Sequence, residues 1–170
     1  LHLRGLEEPS VLDVGAGTGA IALAIADEHP GASVLAIDVS ADALALAREN
    51  AERTGLAIEL ALHDVRDGLP GGPYELVVSN PPYVEAAELP TLMADVRDYE
   101  PHVALVGDRV PELVAEAALD VLAPGGWIVL EVGDGQAADT AALLTRLGYA
   151  DVLAGPDLTG RDRVVEGRRV

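Results

Sequence analysis

Residues 10–19 read Ser-Val-Leu-Asp-Val-Gly-Ala-Gly-Thr-Gly, a short apolar run followed by three glycines at alternate positions. The run Ser10–Val14 is β-branched and follows a proline, which predicts a strand. The glycines predict a tight turn, because glycine adopts backbone conformations that other residues avoid. Ala20–Glu28 is apolar on most faces and is followed by Pro30-Gly31, which predicts a helix packed against a sheet. Strand, turn and helix in this order begin a β-α-β unit.

The alternation of strand and helix continues along the chain. Further strands are predicted at Ser33–Ile37, Ala57–Leu62, Glu75–Ser79 and Trp127–Val132, with late β segments at Tyr149–Leu153 and Arg163–Glu166. Further helices are predicted at Ala41–Thr54, Val110–Leu122 and Gln136–Leu147. This order favours an α/β fold with an open, mostly parallel, seven-stranded sheet and helices on both faces. The late β segments are expected to close it as a hairpin-like pair, with the last strand antiparallel.

The composition limits the classes of protein to consider. The chain has 170 residues, 49% of them hydrophobic and 24% charged, which predicts a single globular domain over residues 1–170. It contains no cysteine, and its four histidines lack paired metal-ligand spacing, so no metal site is expected. No apolar stretch is long enough to span a membrane and Leu1 opens no signal peptide, so we expect a cytoplasmic protein.

The net charge gives information on partners. It is −18, and all 11 basic residues are arginine. Such a surface repels phosphate backbones, so direct binding to nucleic acid is not expected. Acidity that serves solubility alone is the alternative interpretation.

Three successive strands end in residues suited to a ribonucleoside. Gly15, Gly17 and Gly19 let the backbone approach a ligand closely. Asp38 ends the second strand, where its carboxylate can accept hydrogen bonds from both ribose hydroxyls, and Asp64 follows the third. Each acid alone could equally be a helix cap or a solvated loop residue. Together they predict a nucleoside site at the carboxyl edge of the sheet.

The spacing Gly-x-Gly-x-Gly resembles the first motif of class I S-adenosylmethionine-dependent methyltransferases. That resemblance implies S-adenosyl-L-methionine as the cofactor and a Rossmann-like class I methyltransferase fold. The cofactor is a sulfonium cation without phosphate, so an acidic surrounding suits it. Asp13 lies close enough in sequence to interact with its amino-acid part.

The peptide Asn80-Pro81-Pro82-Tyr83 follows the fourth predicted strand. The Asn80 side-chain oxygen and the Pro81 carbonyl can accept the two hydrogens of one planar NH2 group. The two prolines preorganise these acceptors, and the Tyr83 ring can stack on an amide or base. The motif resembles that of methyltransferases that modify planar NH2 groups of glutamine, adenine or cytosine, which implies methyl transfer to such a group. A proline-rich turn with Tyr83 as a half-buried anchor is the structural alternative.

The stretch Val77–Val84 resembles the release factor glutamine methyltransferase family. Other segments agree with that family in order. They are Asp95–Arg97, Tyr99–Pro101, Ala104–Val106, Pro124–Gly126, Leu130–Gly133 and Asp157–Val164. The resemblance implies methylation of the glutamine side-chain nitrogen in the Gly-Gly-Gln motif of peptide chain release factors, so the partner would be a protein.

The resemblance also assigns residues to roles. By position, Asn80, Pro81, Pro82 and Tyr83 would hold the glutamine. The cofactor would contact Gly15, Ala16, Gly17, Thr18, Gly19, Asp38, Asp64, Val65 and Asn80. The chain departs from the family in two places. The first predicted strand begins within ten residues, so the helical domain that usually precedes the catalytic one in that family is expected to be absent, whether by nature or by truncation. Gly107–Pro111 is shorter than the family's Asp-Gly-containing stretch.

Three other functions remain open from the sequence. An adenine-modifying nucleic-acid methyltransferase would use the same acceptors on a flipped base. A ribosomal-protein glutamine methyltransferase would share the motifs. A nucleoside-binding module without turnover would keep the fold alone. The long connection Val84–Asp108 is expected to be a substrate loop or lid, with an unrecognised helix as the alternative.

Overall fold

The computed structural model describes residues 2–81, 109–157 and 159–170. Its strands are β1 Ser10–Val14, β2 Ser33–Asp38, β3 Glu59–Leu62, β4 Tyr74–Ser79, β5 Leu122–Glu131, β6 Ala150–Pro156 and β7 Asp162–Arg168. Its α-helices are α1 Ala20–Glu28, α2 Ala41–Thr54, α3 Val110–Val121 and α4 Ala137–Leu147, with a 3₁₀ turn at Val65–Asp67. The predicted order of elements is therefore confirmed within these residues. The expected substrate loop Val84–Asp108 lies outside them.

The strands form one seven-stranded sheet in the order β3-β2-β1-β4-β5-β7-β6. The pairings β3–β2, β2–β1, β1–β4 and β4–β5 are parallel. β7 pairs antiparallel with both β5 and β6. The predicted antiparallel last strand and hairpin-like pair are confirmed. Because β1 lies between β2 and β4 in the sheet order, the carboxyl ends of β1, β2 and β4 are adjacent.

Two apolar clusters lie on opposite faces of the sheet. Val11 belongs to the cluster that contains Ala22 of α1, whereas Leu12 belongs to the cluster that contains α3 and α4 residues. Successive residues of a strand point to opposite faces, so α1 covers one face and α3 and α4 cover the other. Helices on both faces were predicted and are confirmed.

Several strand boundaries differ from the prediction, and the largest difference is at the start of β5. β3 begins at Glu59 rather than at Ala57. β5 begins at Leu122 rather than at Trp127, because the residues expected to form only a turn are included in the strand. The register shifts between Tyr74↔Leu122 and Leu76↔Trp127, so residues 123–126 form a bulge opposite β4. A bulge keeps the strand paired through a proline-glycine segment that would otherwise end it.

Candidate active site

The residues at the carboxyl ends of β1, β2 and β4 lie side by side at one edge of the sheet. Val14 is in register with Ile37 on one side and with Ser79 on the other. The next residue of each strand is Gly15, Asp38 and Asn80, respectively. The structure thus brings together the glycine turn, the first acid and the asparagine that the sequence predicted to share a site.

Hydrogen bonds to the neighbouring strand hold the glycine turn. The N–H groups of Gly15 and Ala16 both donate to the carbonyl of Ile37, each at 2.9 Å. The side chain of Asn50 donates to the carbonyl of Thr18 at 3.0 Å and connects the end of the turn to α2. The turn is therefore anchored to β2 and to α2.

Glycine is required at the three positions of the turn for different structural reasons. All have positive φ, 75° at Gly15, 53° at Gly17 and 78° at Gly19. A Cβ at Gly15 or Gly17 would meet no heavy atom of the described residues within 4 Å. A Cβ at Gly19 would lie 3.1 Å from the Cβ of Ala47. Gly15 and Gly17 border open space, while Gly19 permits close packing of the turn on α2.

Asp38 connects the glycine turn with the start of α2. Its Oδ2 accepts from the Gly17 N–H at 2.9 Å, and its Oδ1 accepts from the Ser40 N–H at 2.8 Å. Each carboxylate oxygen has a second lone pair, so Asp38 can still accept two further hydrogen bonds. The side chain is half-buried and fixed in place, which makes it a preorganised acceptor for a pair of hydroxyl groups.

Asp13 lies beneath the glycine turn and is fully buried, with 0% relative exposure. Its Oδ2 accepts from the Ala22 N–H at 3.1 Å, in the first turn of α1. Its Oδ1 has no hydrogen-bond partner among the described residues. Burial raises the pKa of Asp13 to about 7, the Ala22 N–H opposes that shift, and the charge of Asp38 adds to it.

Asp64 follows β3 but is already engaged with its own loop. Its Oδ1 accepts from the backbone N–H of Arg66 at 3.0 Å, and both oxygens accept from Arg66 Nε at 2.9 Å. Arg66 Nη2 also contacts Oδ2. The side-chain hydrogen bonds from Arg66 lower the pKa of Asp64 to about 2. Val65 is half-buried and packs against the core.

Asn80 is exposed, whereas Ser79 and Pro81 on either side of it are buried. Ser79 Oγ donates to the carbonyl of Val14 at 2.7 Å and joins the ends of β4 and β1. Within residues 2–81, 109–157 and 159–170, the Asn80 side chain makes no hydrogen bond. The predicted residues Pro82 and Tyr83 lie outside the described part of the chain.

The loop between β6 and β7 lies at the same edge, two strands away from β4, and sequence reasoning gave it no place in the site. Asp157 Oδ1 accepts from the Thr159 N–H and Oγ1, each at 2.7 Å. Arg161 Nη1 donates to Asp134 Oδ2, after β5, at 3.4 Å. β7 runs antiparallel to both β5 and β6, so the carboxyl end of β6 and the start of β7 lie at the edge of the sheet where β5 ends. Among the described residues, no three acidic or histidine side chains converge on a metal position, and no helix is long and apolar enough to cross a bilayer.

Comparison with known proteins identifies close relatives. The chain is 41% identical over 169 residues to the release factor glutamine methyltransferase of Geobacter sulfurreducens, which covers 97% of this chain and 60% of that protein. It is 45% identical over 173 residues to the enzyme of the same name from Deinococcus radiodurans, covering 99% and 61%. The chain therefore spans about 60% of the length of these relatives. The resemblance predicted from the motifs is confirmed.

The fold and the family model agree with these relatives. A methyltransferase from Pyrococcus furiosus has the same fold, with a TM-score of 0.71 at 20% identity over 99% of this chain and 79% of that one. The Rossmann-like class I methyltransferase fold is thus confirmed. The model of the methyltransferase small domain matches residues 1–96, which is more than half of the 170 residues. The chain therefore belongs to the methyltransferase small domain family.

Proposed function

We propose that the chain transfers a methyl group from S-adenosyl-L-methionine to the side-chain amide nitrogen of a protein glutamine, in the Gly-Gly-Gln motif of a peptide chain release factor. The observation that carries this proposal is the position of Asn80. Its exposed side chain, which makes no hydrogen bond within the described residues, directly follows β4. It lies next to the open turn at Gly15, and the fixed acceptor Asp38 lies on the other side of that turn. The names and identities of the curated relatives support this choice of substrate.

The residues at the edge fit the cofactor. S-Adenosyl-L-methionine supplies an electrophilic methyl group on a positively charged sulfur. Gly15 and Gly17 leave room over the turn, where a side chain would intrude. Asp38 has unused lone pairs for two ribose hydroxyls, and an edge with Asp38 and Asp64 on it and Asp13 buried beneath it suits a cationic nucleoside better than a phosphorylated one.

Asn80 and Pro81 would hold the acceptor. The Asn80 side-chain oxygen and the Pro81 carbonyl accept one hydrogen each from the glutamine NH2 group and fix its plane. An amide nitrogen is a poor nucleophile, since its lone pair is delocalised into the carbonyl. Two accepted hydrogen bonds raise the electron density on nitrogen as the new bond to carbon forms. The bond between carbon and sulfur breaks with its electrons remaining on sulfur, and the nitrogen gives its extra proton to water.

Arg66 is expected to compete with the cofactor for Asp64. Cofactor that uses the Asp64 carboxylate must share it with a guanidinium that already donates to both oxygens. The pair is solvent-exposed, so this competition is weak. Arg66→Ala is therefore expected to tighten cofactor binding by roughly two- to fivefold, measured by calorimetry. Arg146→Ala in the last turn of α4 removes the same charge away from Asp64 and should leave affinity unchanged. Equal effects of both variants would contradict a local competition.

The two glycines Gly17 and Gly19 should respond differently to alanine. Gly17→Ala places a methyl group in open space, so we expect a loss of about 1 kcal/mol of stability from its positive φ together with a clear loss of cofactor affinity. Gly19→Ala pushes against Ala47 and should cost roughly 1–3 kcal/mol of stability. Thermal unfolding and cofactor titration of both variants measure this. The opposite ranking would show that the open space over Gly17 is not part of the cofactor site.

A labelling experiment tests the proposed function. The chain is incubated with S-adenosyl-L-methionine carrying a radioactive methyl group and, separately, with a release factor, a ribosomal protein and an adenine-rich RNA. We expect label in the release factor, and a release factor whose Gly-Gly-Gln glutamine is replaced by alanine should remain unlabelled. Label in the ribosomal protein alone would show that the substrate is a ribosomal protein rather than a release factor. Label in RNA alone would contradict methyl transfer to an amide.

A further inference from the structure

Asp13 is the only aspartate or glutamate among the described residues that is fully buried. One of its carboxylate oxygens, Oδ2, accepts a hydrogen bond from the Ala22 N–H. That N–H needs an acceptor from elsewhere, since the residue before α1, Gly19, has no side chain that could cap the helix. The other oxygen, Oδ1, is buried and has no hydrogen-bond partner in the described part of the chain. A buried carboxylate oxygen without a hydrogen bond is unfavourable, whereas a protonated one is neutral.

The elements packed around Asp13 provide no positive charge. β1 lies between β2 and β4 in the sheet, and α1 covers Asp13 on one face. None of these four elements contains a lysine or an arginine. Their other ionisable side chains are the acids Asp38 at the end of β2, Glu75 on β4, and Asp27 and Glu28 at the end of α1, together with the phenol of Tyr74 at the start of β4. Glu75 accepts from the Ser10 N–H, at the opposite end of β1 from the glycine turn.

We propose that Asp13 holds a proton in the free chain and releases it when a cationic nucleoside cofactor binds over the glycine turn. The proton resides on Oδ1, while Oδ2 keeps its bond to α1. After release, the buried carboxylate balances the positive charge of the cofactor directly above it. Asp13 is thus a positioning residue whose charge state is coupled to occupancy of the site. This inference rests on the proposed function.

The titration of Asp13 supports the coupling. Burial and the neighbouring charge of Asp38 raise its pKa to about 7, so about half of the free molecules carry the proton at pH 7. Because protons and the cationic cofactor then compete, cofactor affinity should fall as the pH falls. For a group that titrates at pH 7 and is ionised in the complex, the dissociation constant should increase about tenfold from pH 8 to pH 6.

Calorimetry measures the released proton directly. S-Adenosyl-L-methionine is titrated into the chain at pH 7 in phosphate and in Tris, whose ionisation enthalpies differ. The difference in heat gives the number of protons exchanged, expected to be about 0.5 released per cofactor bound. Asp13→Asn keeps the size of the side chain and an oxygen for the Ala22 N–H but cannot hold the proton. Cofactor binding to this variant should release about 0.5 fewer protons than binding to the unmodified chain. Protons exchanged by the ligand's own amino group are the same in both titrations and cancel in this difference.

Two matched variants serve as controls. Glu75→Gln neutralises an acid at the other end of the same strands. His63→Gln removes an imidazole that precedes Asp64 in the chain. Cofactor binding to either variant should release as many protons as binding to the unmodified chain. A ¹³C NMR titration of the Asp13 carboxyl in the unmodified chain provides the same test without a substitution. Its midpoint is expected near pH 7 in the free chain and should move to lower pH when cofactor is saturating.

The outcomes separate the two proposals. Loss of proton release in Asp13→Asn alone, or the NMR shift, establishes the coupling. Cofactor binding without proton release, or release that persists in Asp13→Asn, overturns the coupling and leaves the proposed function standing. Failure of the unmodified chain to bind S-adenosyl-L-methionine at any pH from 6 to 8 overturns both.

Discussion

Asn80→Ala is expected to lower the rate of methyl transfer by roughly 10²–10³-fold, with a change of only a few fold in cofactor affinity. The reason is that Asn80 provides one of two acceptors for the substrate NH2 group, and its contribution is greatest when positive charge develops on nitrogen. Its side chain supports no other described residue, so the loss should not come from unfolding. Single-turnover kinetics with saturating cofactor measure the transfer step, and calorimetry measures cofactor binding.

Asn80→Asp provides the matched control. It keeps an acceptor oxygen at nearly the same position and should retain more transfer than Asn80→Ala. If Asn80→Ala turns over at the unmodified rate, the mechanism based on two acceptors is wrong. If both variants lose cofactor affinity as strongly as transfer, Asn80 serves the cofactor rather than the acceptor.

Asp38→Ala is expected to weaken cofactor binding by roughly 10²-fold or more. The substitution removes the acceptor for two ribose hydroxyls and also the acceptor for the N–H groups of Gly17 and Ser40. Hydrogen bonds to a charged group contribute about 1.5–3 kcal/mol each, so losing even two of them exceeds a hundredfold. The dissociation constant of S-adenosyl-L-methionine, measured by calorimetry, gives the result.

Ser40→Ala separates the binding role of Asp38 from its structural role. It removes the hydroxyl that accepts from Ala43 N–H at the start of α2 but keeps the backbone N–H that Asp38 binds. We expect a loss of about 1 kcal/mol of stability and an unchanged dissociation constant. An unchanged dissociation constant in Asp38→Ala itself would refute the assignment of Asp38 to the cofactor.

Local signals explain why most of the fold could be predicted. The limits of α1 and α2 are those predicted, because Pro30-Gly31, Ser40 and Gly55 act within one turn of the helix they bound. The start of β5 could not be predicted in the same way. Whether a Pro-Gly-Gly segment ends a strand or bulges from it depends on the partner strand, and β4 remains paired on both sides of the bulge.

The positions of those site residues that lie at the ends of strands could be predicted from the sequence. Asp38 ends one parallel strand and Asn80 follows another, so their position at one edge of the sheet follows from the strand order alone. The state of the other two acids was not predictable. The full burial of Asp13 depends on how closely α1 packs on β1, and the engagement of Asp64 depends on the rotamer of Arg66. Both are tertiary details that spacing along the chain does not encode.

The bond from Ser79 to Val14 has a consequence for how such a site can change over evolution. It holds the end of β4 against the end of β1. β1 leads from there to the glycine turn of the proposed cofactor site, and β4 leads to Asn80, which is proposed to hold the substrate. Their separation is then the spacing of neighbouring strands, about 4.8 Å, and side chains in the surrounding loops do not alter it. A different methyl-accepting substrate can therefore be accommodated by changes in the surrounding loops alone, because the distance between the two reactants is set by the backbone of the sheet.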